Sequence, residues 1–147
     1  MHEYAMREAL KEAALAALAG DVPVGAVIVH DGKIIARAHN EREVSLDPTA
    51  HAEVLAIRRA AEVLGRRRLN GCTLYVTLEP CPMCAGTIAM SGVERVYYGA
   101  YDPRMGCAGS VYDLPEDPVL GTHTICLGGL LEDECSDLIA KFFADKR

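Results

Sequence analysis

The chain has 147 residues, 50% of them hydrophobic and 24% charged, the size and composition of one domain with its own core spanning residues 1–147, which excludes disorder. No stretch approaches the ~18 apolar residues of a membrane span, and Glu3, Glu8 and Glu12 interrupt the N-terminal segment in a way no signal peptide shows, so a cytoplasmic protein with no membrane partner is expected. A formal net charge of −6 argues against a general nucleic-acid coat, but residues 1–110 carry 13 acidic and 12 basic side chains against 8 and 3 in 111–147, which leaves room for a local basic patch.

Along the chain, Ala5, Met6, Ala9, Leu10, Ala13, Ala14 and Ala17 recur at steps of three and four and predict an amphipathic helix over residues 4–18, ended by Gly20 and Pro23. Residues 24–30 and 33–39 are β-rich runs around Asp31-Gly32, a pair favoured in type I′ turns, and predict an antiparallel hairpin. A polar loop over 40–48 leads to Thr49 as the N-cap of a helix over 50–64, stopped at Gly65. After a turn at Asn70-Gly71, residues 72–78 read as a strand buried on both faces, 82–90 as a helix and 93–100 as the next strand. That order implies a parallel crossover. Residues 101–122 form a loop long enough to suggest function, 123–127 a fifth strand and 132–144 a closing helix. The class is α/β, with a mixed sheet sandwiched between helices.

Six cysteines, Cys72, Cys81, Cys84, Cys107, Cys126 and Cys135, read in a reducing compartment as thiols or metal ligands rather than disulfides. His51-Ala52-Glu53 opens one predicted helix and Pro80-Cys81-Pro82-Met83-Cys84 opens another. Either motif alone is weak. Cys81 and Cys84, three apart, bring both thiols to one point beyond a helix N-terminus, where the helix dipole favours the thiolate that binds metal. With His51 they match a tetrahedral zinc site whose fourth position stays open, the catalytic arrangement. A closed structural site needs a fourth ligand, and Cys72, the nearest candidate, lies on the order of 30 Å of extended strand away. Thioredoxin-like chemistry leaves His51 and Glu53 without a role. Glu53 projects from a different face than His51 and, from the first helical turn, can shuttle protons without binding the same metal. Its plain alternative is a carboxylate that complements the helix dipole.

The segment HAEVLAIRRA, followed by TLYVTLEPCPMCAGTIAMSGVERVYYGAYDPRMGCAGS, resembles the zinc-dependent cytidine/adenosine deaminase superfamily, whose His-x-Glu and Pro-Cys-x-x-Cys pair it carries. VPVGAVIV, NEREVSLDPTAHAE, GAYDPRMGCAGS and the closing LEDEC helix with its Phe-Phe resemble the tRNA adenosine deaminase branch over nearly the whole chain. The resemblance implies a cytidine-deaminase-like three-layer α/β/α sandwich around a five-stranded mixed sheet, one zinc ion per subunit and a homodimer. The implied reaction is hydrolytic deamination of adenosine to inosine at the wobble position of a tRNA anticodon stem-loop.

By motif, the resemblance makes His51, Cys81 and Cys84 the zinc ligands and Glu53 the proton shuttle. It sets Asn40 on the base and Asp102 on a ribose 2′-OH, with an ordinary turn residue as the alternative for both. Arg104 is the better candidate for a phosphate contact than Arg66-Arg67-Arg68, a run that also suits a helix C-terminus. Two rivals remain: a deaminase of free nucleobases of guanine or cytosine type, which fits the acidic balance, and a zinc-stabilised binding module, which lacks its fourth ligand. Cys107 has no assigned role.

Overall fold

The structure, a computed structural model, describes residues 1–146. Helix α1 (His2–Leu18) lays Ala5, Met6, Ala9 and Ala13 on the sheet. A Cβ on Gly25 would meet the Ala9 carbonyl oxygen at 2.0 Å, so α1 rests directly on the backbone where the first strand begins. Strands β1 (Gly25–His30) and β2 (Lys33–His39) form the expected hairpin. Asp31 (φ 51°) and Gly32 (φ 75°) both take the left-handed conformation that a type I′ turn requires.

After a short helix α2 (Arg42–Ser45) come α3 (Ala52–Leu64), β3 (Cys72–Leu78), α4 (Pro82–Ser91) and β4 (Arg95–Ala100). A single 3₁₀ turn (Leu114–Glu116), β5 (Ile125–Leu127) and α5 (Glu132–Asp145) complete the described chain.

The sheet runs β2-β1-β3-β4-β5; β1 pairs antiparallel with β2 and β3, whereas β3–β4 and β4–β5 are parallel. Alternation along the strands feeds two cores. Ala26, Ile28, Leu74, Val76, Val96 and Tyr98 pack with Ala56, Ile57 and Ala60 of α3 and Ile88 of α4. Val27, Val29 and Tyr75 pack on the other face with Met6 and Ala9 of α1 and Cys135 of α5. The result is the three-layer α/β/α sandwich expected from the sequence. No helix among the described residues is long and apolar enough to cross a membrane.

Two expectations need correction. Residues 40–48 are not all loop, because Arg42–Ser45 form the single turn α2, closed by Leu46 in the left-handed region (φ 51°). Thr49 is not the N-cap. Its backbone N–H and its hydroxyl both donate to Asp47 Oδ1, at 2.9 and 2.7 Å, in a local turn, and α3 begins only at Ala52. The donor left at the helix start, the Ala52 N–H, is bonded instead by Asn40 Oδ1 at 2.9 Å.

The segment ahead of the site hangs on Asp21, which is only 1% exposed. Its Oδ1 accepts from Arg42 Nε (3.0 Å), Arg42 Nη2 (2.8 Å) and the Val22 N–H (2.8 Å), and its Oδ2 accepts from the Glu43 N–H (3.1 Å). Burial acts to raise this carboxyl, but the Arg42 guanidinium and the two N–H groups outweigh it and hold it below its ordinary value. A carboxyl depressed in the folded state contributes stability that is present above the unfolded value near ~4 and is lost as pH falls through the folded one. Asp21→Asn is therefore expected to lose about 2 kcal/mol at neutral pH. Denaturant melts should show the gap to the parent closing as pH drops below ~4; a gap constant with pH would mean that the charge contributes nothing.

Candidate active site and metal centre

Two helices start at the same place. His51 occupies the N-cap position of α3 and Cys81 that of α4, both with extended backbone, so the positive ends of both helix dipoles face the gap between them. Pro82 at the first position of α4 fixes the helical φ where the missing N–H costs nothing. Among the described residues, His51, Cys81 and Cys84 form a converging group of potential metal ligands, with their donor atoms all within 4.8 Å of one another. His51 Nδ1 lies 3.7 Å from Cys81 Sγ and 3.4 Å from Cys84 Sγ. A tetrahedral zinc ion bound at ~2.3 Å to sulfur and ~2.05 Å to nitrogen sets a nitrogen–sulfur edge of about 3.6 Å, between the two observed values.

The electrostatics agree with that fit. Hydrogen bonds from Cys84 and His51 outweigh burial and lower the Cys81 thiol to about 4, so Cys81 is a thiolate. Cys84 is pushed upward by its bond to Cys81 and by burial. Glu53, 3% exposed in the first turn of α3, is pushed up to about 7 by burial, with the negative charge of Cys81 adding to the shift. The site holds one negative charge readily and resists a second, which is what a divalent cation offsets. Three protein donors with no fourth converging on them among the described residues leave the open coordination position of a catalytic centre.

Above the ligands lies a cavity of about 210 Å³, lined by Asn40, Arg42, His51, Glu53, Glu79, Cys81, Asp102 and Met105 over an apolar floor of Val22, Val24 and Leu78. It is smaller than a drug-sized pocket and suits one heterocycle. A second cavity of about 420 Å³ adjoins it through Val22, Leu78 and Asp102, and is walled by Tyr101, Arg104, Ile139 and Phe143. A groove of about 500 Å³ between the end of α1 and α5 is larger than either, but no metal ligand or Glu53 borders it, and the chemistry lies at the smaller cavity.

Asn40, 5% exposed, also donates from Nδ2 to the Val22 carbonyl (3.1 Å), so it follows β2, bonds the start of α3 and lines the cavity. Asp102 Oδ1 accepts from the Arg104 and Met105 N–H groups (3.0 and 3.1 Å), a turn role, and the residue also lines both cavities. Arg104 lines the second cavity and not the first.

Arg66 donates to the carbonyls of Arg68 (2.8 Å) and Asn70 (3.1 Å), which ties down the turn after α3. Cys72 opens β3 at the end opposite the ligands, inside the core, so it is not a fourth ligand. Cys107 is buried, and its N–H donates to the Pro80 carbonyl (2.8 Å) beside Cys81. Arg42 and Glu79 border the cavity and escaped the sequence reading. A lone carboxylate at the end of an apolar strand, directly before Pro80-Cys81, was the available signal for Glu79.

The sequence profile of the cytidine and deoxycytidylate deaminase zinc-binding region matches residues 1–100. A tRNA-specific adenosine deaminase of Bacillus subtilis is 49% identical over 145 residues, 99% of this chain and 90% of that protein. A solved structure from studies of A-to-I editing by tRNA:A34 deaminases at the wobble position of transfer RNA superposes with a TM-score of 0.88 at 44% identity, covering 92% of this chain and 98% of the other. A guanine deaminase from Bacillus subtilis is 48% identical with a TM-score of 0.66, but covers 69% of this chain and 65% of that one. With a matching zinc-ligand set and full-length relatives of this kind, the chain belongs to the cytidine and deoxycytidylate deaminase family, in its tRNA-specific adenosine deaminase branch.

Proposed function

We infer that the protein hydrolytically deaminates adenosine to inosine at the wobble position of tRNA anticodons. The observation that carries this is the buried Glu53 carboxyl standing over His51, Cys81 and Cys84 in a one-base cavity, in a chain whose tRNA-specific relatives match it from end to end. A zinc ion held by the three ligands supplies the Lewis acidity that lowers the pKa of water. Glu53, set near neutrality, takes a proton from the attacking water, delivers one to the ring nitrogen next to the reacting carbon, and passes the next to the departing amine. Asn40 offers its remaining N–H to the base, Asp102 offers Oδ2 to a ribose hydroxyl, and Arg104 offers its guanidinium to a phosphate in the second cavity.

The same reading makes the protein a cytoplasmic homodimer. Met90 (80% exposed) on α4 and Tyr112, Val119 (92% exposed) and Leu120 on the long loop are exposed apolar side chains that a second copy could cover. The guanine deaminase neighbour and the net charge of −6 support a free-base rival.

Incubation with an anticodon stem-loop bearing adenosine at the wobble position, and separately with adenosine, guanine and cytosine, distinguishes the two. Mass spectrometry is expected to show amino-to-oxygen exchange in the stem-loop alone; exchange in free guanine and not in the stem-loop would refute the tRNA assignment.

A further inference from the structure

Besides Asp21, a second buried and fully bonded carboxylate outside the metal ligands is Glu79. Its side chain is 2% exposed and, among the described residues, has no charged hydrogen-bond partner; every donor to it there comes from the loop that follows β4. Oε1 accepts from the Asp102 N–H (3.0 Å) and the Ser110 hydroxyl, and Oε2 accepts from the N–H groups of Ala108 (3.2 Å) and Ser110 (2.9 Å). The backbone repeats the tie, because the Glu79 N–H donates to the Ala100 carbonyl (2.9 Å) and the Cys107 N–H to the Pro80 carbonyl (2.8 Å). The approach is close enough that a Cβ on Gly106 would fall 2.4 Å from Glu79 Cδ.

This loop carries Asp102 and Met105, two walls of the catalytic cavity, and Glu79 stands two residues before the metal ligand Cys81. We propose that Glu79 is a positioning residue for substrate: it locks the segment 102–110 onto the elbow that presents Cys81, so that Asp102 stays in register with the metal centre. It stands outside the converging metal-ligand group and acts through Asp102.

The geometry dictates what an amide does there. In Glu79→Gln the remaining oxygen satisfies most donors at the Oε2 position, where it keeps Ala108 and Ser110, while the new NH₂ turns to the Ser110 hydroxyl. That orientation faces the Asp102 N–H with a donor and releases it. The substitution therefore frees Asp102 selectively.

The proposal rests on the deaminase reading through Asp102, so the parent is assayed first on the anticodon stem-loop. In Glu79→Gln the KM is expected to rise about tenfold with kcat nearly unchanged, as for loss of an interaction made equally to substrate and transition state. Zinc content should stay at the parent's value, and amide hydrogen exchange should quicken at Asp102. Because Glu79 acts through Asp102, adding Glu79→Gln to Asp102→Ala should raise KM no further.

If Glu79→Gln is not recovered folded, Ser110→Ala, which removes one donor, should show a smaller rise in KM in the same direction. A fall in kcat at unchanged KM, loss of zinc, additive effects with Asp102→Ala, or no change would each overturn the proposal. If the parent leaves the stem-loop untouched, the functional reading fails, and amide exchange at Asp102 still decides whether Glu79 holds the loop.

Discussion

Glu53→Gln is expected to stop turnover while leaving the metal centre loaded. The substitution keeps the shape of a buried side chain and removes the carboxyl beside the metal ligands that can both accept and return a proton. A positioned acid/base contributes about 10²–10⁴-fold, or roughly 3–5 kcal/mol of barrier, and kcat should fall by at least that factor. Burial pushes this carboxyl up towards neutrality, which suits a group that must take up and release a proton at the working pH. Single-turnover assays on the anticodon stem-loop, read beside elemental analysis, check it. Zinc-loaded protein with near-parental turnover would remove Glu53 from the mechanism.

Cys84→Ala should give the opposite split, with metal lost first and activity as a consequence. Cys84 is fully buried in the first turn of α4 with its sulfur 3.4 Å from His51 Nδ1, and no other cysteine joins the converging group to replace it. Removal of an outer-shell partner of a metal ligand already costs about 10–100-fold in affinity; removal of the ligand itself should exceed that and lower thermal stability with it, because binding energy that depends on the folded site is folding energy. Cys72→Ala and Cys107→Ala should keep their zinc. A metal-free but active Cys84→Ala protein would disprove the ligand assignment.

The metal centre was legible in the sequence because its information is local. Two thiols three residues apart at a helix start, and a histidine two residues from a carboxylate at another, describe their own geometry. The hairpin was legible for the same reason, since the demand for two left-handed residues is written in Asp31-Gly32. What escaped is non-local. Glu79 reaches donors 23 to 31 residues further on, and Asp21 reaches a guanidinium 21 residues away. Thr49 looked like a cap because nothing nearby showed that the helix starts at Ala52 and that Asn40, twelve residues earlier, accepts from its N–H. For Asn40 and Asp102, the resemblance set a substrate contact against an ordinary turn residue; both side chains are bonded to backbone groups, and both residues line the cavity.

The strand order has a consequence for how copies of the chain meet. A sheet that ends in unpaired backbone invites edge-to-edge growth into aggregates. Here one border is β5, only three residues long, and the other is β2, which exposes Lys33 and Arg37, carries an irregularity in its pairing at Ile28/Val29 of β1, and is flanked by α1 and α3. Neither border is a template for adding a strand. Any contact between copies is left to the helical layers and the long loop, and the sheet does not become a seed for fibres.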